Sequence, residues 1–124
     1  MSPGQSRVLL VEDDPVVRSA LLGALEAARF EAVGVADAVE ALGVLGQRRV
    51  AVVVADHHLP GGVSGLDLLA AIRGAAPGTP LILYSGGMTD ELAERASEFD
   101  VRALLEKPVS AERLIKAVRA ALAA

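Results

Sequence analysis

With 124 residues, 52% of them hydrophobic, the chain has enough apolar material for one domain with a buried core and is no disordered tail. No apolar run approaches the roughly 20 residues that span a bilayer, so membrane insertion is not expected. The absence of cysteine excludes disulfides, thiol catalysis and thiolate metal sites, and a net charge of −4 argues against direct nucleic-acid binding, which needs a basic face.

The chain opens on MSPGQSR, which lacks a charged-then-apolar leader, and a cytoplasmic location is expected. Arg7 to Glu12 (RVLLVE) has the unbroken apolar character of a strand buried on both faces, and it ends in acid, Glu12-Asp13-Asp14. Pro15 suits a first helical turn with Asp14 as N-cap, and Val17, Leu21, Leu22 and Leu25 recur at helical spacing up to about Arg29. A short strand, Glu31 to Ala36, follows. Asp37 with Glu40 forms an acidic version of the capping box for a helix through Gln47.

The central stretch, VAVVVADHHLPGGVSGLDLL, predicts a strand over Val50 to Ala55 with Asp56 directly at its end. Two histidines and a Leu-Pro-Gly-Gly turn follow. Ser64 and Asp67 then open a helix to about Ala75, with Leu66, Leu69, Ala70 and Ile72 as its apolar face. The second half repeats the alternation. Leu81 to Tyr84 is a strand followed by Ser85-Gly86-Gly87, Asp90 to Glu98 a polar helix with Leu92, Ala93 and Ala96 inward, and Val101 to Leu105 a last strand. Glu106-Lys107-Pro108 leads to a helix capped by Ser110 with Leu114, Ile115, Val118 and Leu122 on one side. Phe30 and Phe99 read as core or boundary residues, and Tyr84 as a packed ring with its hydroxyl at the rim.

Five strand-helix units imply an α/β fold, one doubly wound five-stranded parallel sheet over residues 1–124 with a core of about 7–123. Ligands of such sheets gather outside the carboxyl ends of the strands, where strand order reverses. Those ends carry Asp13, Asp14, Asp56, Ser85 and Lys107. In the order 2-1-3-4-5 the first and third strands are neighbours and three carboxylates converge. Like charges so close call for a cation, and oxygen-only ligands suit Mg²⁺. A carboxylate facing a metal, an ammonium and a hydroxyl is equipped to attack phosphorus.

Each residue also has a plain structural reading. Asp14 serves as a helix cap and Asp56 as a solvated loop acid, and Ser85 satisfies a local backbone group. Lys107 resists this, because only two of the twelve basic residues are lysines and this one stands between an apolar strand and a proline.

The pieces VLLVEDDPVVR, VVVADHHLPGGVSGLDLL, PLILYSGG and LLEKPVSAERL, in this order and spacing, make the chain resemble a receiver domain of the two-component response-regulator family, similar to the chemotaxis response regulator. The resemblance implies a flavodoxin-like sheet of order 2-1-3-4-5 and a phosphoacceptor switch with no enzymatic turnover of its own. By position it assigns Asp13 and Asp14 to an acidic pair that holds Mg²⁺ together with Asp56. Asp56 takes phosphate from the phosphohistidine of a histidine kinase or a histidine phosphotransfer domain. Ser85 is the hydroxyl that moves toward the phosphoryl group, Lys107 is its ionic partner, and the Lys107-Pro108 peptide is cis.

Three departures stand out. The loop before Gly65 is one residue longer than is usual, Leu104 occupies a position commonly aromatic, and Gly86 replaces a small side chain, which loosens the loop and opens the site. The longer loop favours a receiver belonging to a larger regulator or hybrid kinase over a stand-alone one.

Asp-His-His also occurs in metal-dependent phosphoesterases, but these draw on further histidine motifs, and this chain has only His57 and His58. His58 is therefore read as flanking Asp56 and modulating access of water. The alternative class is an interaction module that has kept the fold without phosphorylation, favoured by Leu104 and opposed by the intact acidic, hydroxyl and lysine set. A haloacid-dehalogenase-like phosphatase is disfavoured, since it wants an acid where His58 stands.

Overall fold

Five short runs of Val, Leu, Ile and Ala supply the strands: β1 (Arg7–Val11), β2 (Glu31–Val35), β3 (Val52–Asp56), β4 (Leu81–Ser85) and β5 (Ala103–Glu106). Between and after them run α1 (Pro15–Ala27), α2 (Ala38–Gln47), α3 (Gly65–Ala75), α4 (Asp90–Glu98) and α5 (Ala111–Ala123). These come from a computed structural model that describes residues 7–99 and 101–123; the leader reading of MSPGQSR falls, but for Arg7, outside the described residues. All pairings are parallel and the order is β2-β1-β3-β4-β5, as expected. Among the described residues no helix is long and apolar enough to cross a membrane.

The pleat divides the core. Side chains alternate across a strand, so Val8, Leu10, Val52, Val54, Ile82, Tyr84 and Leu105 face one way. They meet Leu21 and Leu25 of α1 and Leu114, Val118 and Ala121 of α5. On the opposite face Leu9, Val11, Val53, Ala55, Leu81 and Leu83 meet Ala41 of α2, Leu66, Leu68, Leu69 and Ile72 of α3, and Leu92 of α4. Burial of each such Leu, Ile or Val is worth about 1.5–3 kcal/mol, so both layers are needed to hold the sheet between them.

Helix starts follow the capping chemistry. Asp14, Asp37 and Ser64 accept from backbone N–H groups of the first turn, and Arg113 N–H donates to Ser110 Oγ. Thr89 caps α4 in the same way, a cap not anticipated. Ser64 and Asp67 form a full reciprocal box. Glu40 reaches back one residue further, to Ala36 N–H.

Three apolar positions expected to face inward lie outside. Val17 is 37% exposed because the first turn of α1 has no core layer beneath it, and Ala70 and Ala93 are exposed. In α3 the buried stripe instead widens to take in Leu68, since this helix covers the sheet and also touches α2. Strand ends moved too: β3 starts at Val52, paired with Val8, and ends on Asp56, paired with Tyr84, so Asp56 belongs to the ladder instead of following it.

Gly65 is where α3 presses on the sheet. A Cβ there would clash with Leu83 Cδ1 and sit 3.0 Å from the Asp56 carbonyl oxygen. Gly65→Ala is expected to lower the urea unfolding free energy by roughly 1–3 kcal/mol, the usual cost of overpacking. Removing the cap with Ser64→Ala should cost about 0.5–2 kcal/mol. Hydrogen bonds from the Ser64 backbone and side chain lower the Asp67 pKa in the folded state. The stability this carboxylate contributes is therefore present above its unfolded pKa and lost as pH falls through the lower folded one. Chemical denaturation of Asp67→Asn against the parent over that range should show the two converging in acid.

Candidate functional site

The site grows out of the same alternation. Leu10 pairs with Val54 and Asp56 with Tyr84, and continuing the β1–β3 register by one residue sets Glu12 beside Asp56. Glu12, Asp56 and Tyr84 thus form a row at the carboxyl rim, all on the face covered by α1 and α5. Beyond β5, Lys107 has the parity of Leu105, which pairs with Tyr84, and joins them.

Asp56 is buried, and both of its oxygens are engaged. Oδ2 lies 2.8 Å from Lys107 Nζ, and Oδ1 accepts the His58 backbone N–H at 3.1 Å. Lys107 remains about one-third exposed at its side chain. Its ammonium also stands 5.5 Å from the centroid of the Tyr84 ring, within reach of a cation–π attraction. The Lys107-Pro108 peptide is cis. Glu12, Asp13 and Asp56 offer carboxylate oxygens that all lie within 4.8 Å of one another.

Here the acidic pair read from the sequence is corrected. Asp14 lines the cleft but does not belong to this group of three. Its Oδ1 is turned to the start of α1, accepting from Val16 N–H at 2.9 Å and Val17 N–H at 3.3 Å. The carboxylate grouped with Asp13 and Asp56 is that of Glu12. Parity pointed to Glu12 alone, which shares the face of Val8 and Leu10 as Asp56 shares that of Val52 and Val54; Asp13 and Asp14 lie beyond the end of β1, where the alternation no longer applies.

Glu12 is 2% exposed and held on both oxygens, Oε1 by the Tyr84 hydroxyl at 2.6 Å and Oε2 by the Asp14 backbone N–H at 3.0 Å. Tyr84 matches its reading as a packed ring reaching the rim, with one addition. The hydroxyl is buried against a carboxylate. Burial first, and the Glu12 hydrogen bond second, raise its pKa far above the ordinary phenol value.

The groups open into a cleft of about 810 Å³ lined by the acids, His58, Tyr84 and Lys107 and walled by Val16, Val17, Pro108 and Val109. Ser85 does not line it. Its side chain has the opposite parity, is fully buried, and exchanges hydrogen bonds with Gly87, accepting from N–H at 3.2 Å and donating to the carbonyl at 3.4 Å. A Cβ on Gly86 would rest 3.7 Å from Lys107 Cδ, an ordinary contact, so glycine there leaves the lysine stem uncovered. Leu104 is half-buried against the other core layer, opposite Leu83.

Of the two histidines, His58 is exposed at the cleft, whereas His57 has the parity of Ala55 and belongs to the other side. Burial, and then the neighbouring His58 and Arg95, lower the His57 pKa, and its Nδ1 is buried with no hydrogen-bond partner. Neither histidine belongs to the metal-capable group. The longer loop is closed at its base by a bridge between His58 and Ser64 and by Leu59 N–H on Val63 O. Its tip turns through Gly61 and Gly62, both left-handed with φ of 79° and 76°.

Comparison with known proteins agrees with the fold. The family model for the response regulator receiver domain matches residues 8–119. The chain is 33% identical over 114 residues to the C4-dicarboxylate transport transcriptional regulatory protein DctD of Rhizobium meliloti, covering 92% of this chain and 25% of that protein. It is 32% identical over 115 residues to the sensor histidine kinase AruS of Pseudomonas aeruginosa, covering 90% of this chain and 11% of that one. The chain thus spans a quarter or less of these relatives. Among solved structures, the signal receiver domain of an HD domain-containing protein from Pseudomonas fluorescens Pf-5 matches with a TM-score of 0.87 at 32% identity, over 96% of this chain and 95% of that one. The chain belongs to the response regulator receiver domain family of two-component systems.

Proposed function

We propose that this domain is a phosphoacceptor switch, taking a phosphoryl group from the phosphohistidine of a histidine kinase or a histidine phosphotransfer domain onto Asp56. The observation that carries the reading is the 2.8 Å pair between Lys107 Nζ and Asp56 Oδ2, with carboxylate oxygens of Glu12 and Asp13 within 4.8 Å of the Asp56 carboxylate. A carboxylate oxygen of Asp56 forms the new O–P bond as the P–N bond of the donor breaks, and the departing imidazole keeps the electron pair. Lys107, freed from the carboxylate oxygen it holds, pairs with the phosphoryl oxygens.

An all-oxygen cluster of three carboxylates fits a hard divalent cation. Asp13 and Asp56 would hold Mg²⁺ with Glu12 beside them. The ion would neutralise charge on the transferring group. Ser85, turned onto Gly87 at 3.2 and 3.4 Å, would leave that local bond for the phosphoryl group and carry the Gly86–Asp90 segment and α4 with it, a local charge event biasing a two-state element. His58 at the cleft mouth and the open Gly86 would set how readily water removes the phosphoryl group. Leu104 would repack in this step without a ring to rotate.

Acetyl phosphate with Mg²⁺ should add one phosphoryl group by intact-protein mass spectrometry. Asp56→Asn should abolish it, and label persisting in that variant would name another acceptor. No addition to the parent protein under any Mg²⁺ concentration would favour the phosphorylation-independent module. Without divalent cation, Asp13→Asn should raise the thermal midpoint by relieving carboxylate repulsion, worth ~1 kcal/mol. With Mg²⁺ at ten times its Kd the parent should gain ~1.4 kcal/mol by mass action, and the variant much less.

A further inference from the structure

We infer that Tyr84 is a positioning residue of the cation site, acting through Glu12; the inference rests on the reading of the acidic group as a Mg²⁺ site. Tyr84 is 1% exposed and Glu12 2% exposed, and they are 72 residues apart in sequence, yet hydroxyl and carboxylate meet at 2.6 Å. Since the Asp14 backbone N–H holds the other oxygen at 3.0 Å, the Glu12 carboxylate is fixed in plane and direction by two donors from different elements. Each of its oxygens keeps one further lone pair. Those lone pairs are the ones available to the cation or its water shell.

The same ring carries Lys107 above it at 5.5 Å. One side chain thus spans the site from the ammonium to the acidic group. A hydrophobic residue in this strand position would fill the core equally well and leave Glu12 a donor short. Partners of this kind, one step removed from a metal, orient the ligand, and their loss typically costs 10–100-fold in metal affinity.

The test uses Mg²⁺ alone as probe. Tyr84 is the single tyrosine and there is no tryptophan, so the near-ultraviolet tyrosine band reports this hydroxyl directly. Mg²⁺ added to the parent protein should shift the Asp13 amide resonance and perturb the tyrosine band with the same midpoint. In Tyr84→Phe, folded by circular dichroism, the Mg²⁺ midpoint should rise about tenfold or more. In a Glu12→Gln background the same substitution should change the midpoint little, because the coupled partner is gone.

An unchanged midpoint in Tyr84→Phe, or an equal loss in both backgrounds, would reduce Tyr84 to core packing and overturn the inference. Should Tyr84→Phe not fold, the parent spectrum decides: Mg²⁺ that moves Asp13 while leaving the tyrosine band untouched overturns it as well. If Mg²⁺ moves nothing in the parent, the cation reading itself has failed and takes this one with it. That outcome is recognisable because it precedes any substitution.

Discussion

The ion pair between Lys107 and Asp56 is the constraint around which the rest is arranged. A carboxylate taken out of water at a strand end, with Glu12 and Asp13 close by, is unfavourable unless a cation is fixed beside it. Lys107 is that cation, 51 residues further along the chain. Bringing it there requires β4 to lie between β3 and β5, all three parallel and in one register. The order of the strands and the electrostatics of the rim are therefore one requirement.

The pleat then sorts the rim by face. Glu12, Asp56, Tyr84 and Lys107 share the side of α1 and α5, while Ser85, Leu83 and Leu104 belong with α3 and α4. Adjacent residues of one strand, Tyr84 and Ser85, thus address different layers of the molecule. One donates its hydroxyl to Glu12, and the other is buried on the opposite face with its hydroxyl on Gly87.

What could be read from the sequence follows the range of the forces involved. Caps act over three or four residues, and those at Asp14, Asp37, Ser64 and Ser110 were legible; only Thr89 went unseen, one residue ahead of where α4 was placed. Strand identity was legible from unbroken apolar runs, and strand order came from the resemblance to a family. The acids were harder. Glu12-Asp13-Asp14 are neighbours along the chain, and choosing among them needs the pairing of β1 with β3 and the path of the chain beyond Val11, which no local rule supplies. The partner of the Tyr84 hydroxyl was hidden for the same reason, since burial of a phenol beside a carboxylate is settled by register across two strands.

The loop between β3 and α3 shows how such a site accommodates change. Its two ends are tied together by the His58–Ser64 bridge and the Leu59–Val63 hydrogen bond, and a Cβ built on either glycine at its tip would meet open space. Lengthening a loop already closed at its base adds little entropic cost, because that cost grows only logarithmically. Insertions here are absorbed above the tie, leaving the strand end and the helix cap in place. A residue added at the tip would change the approach to the rim and leave the acidic group beneath it where it stands.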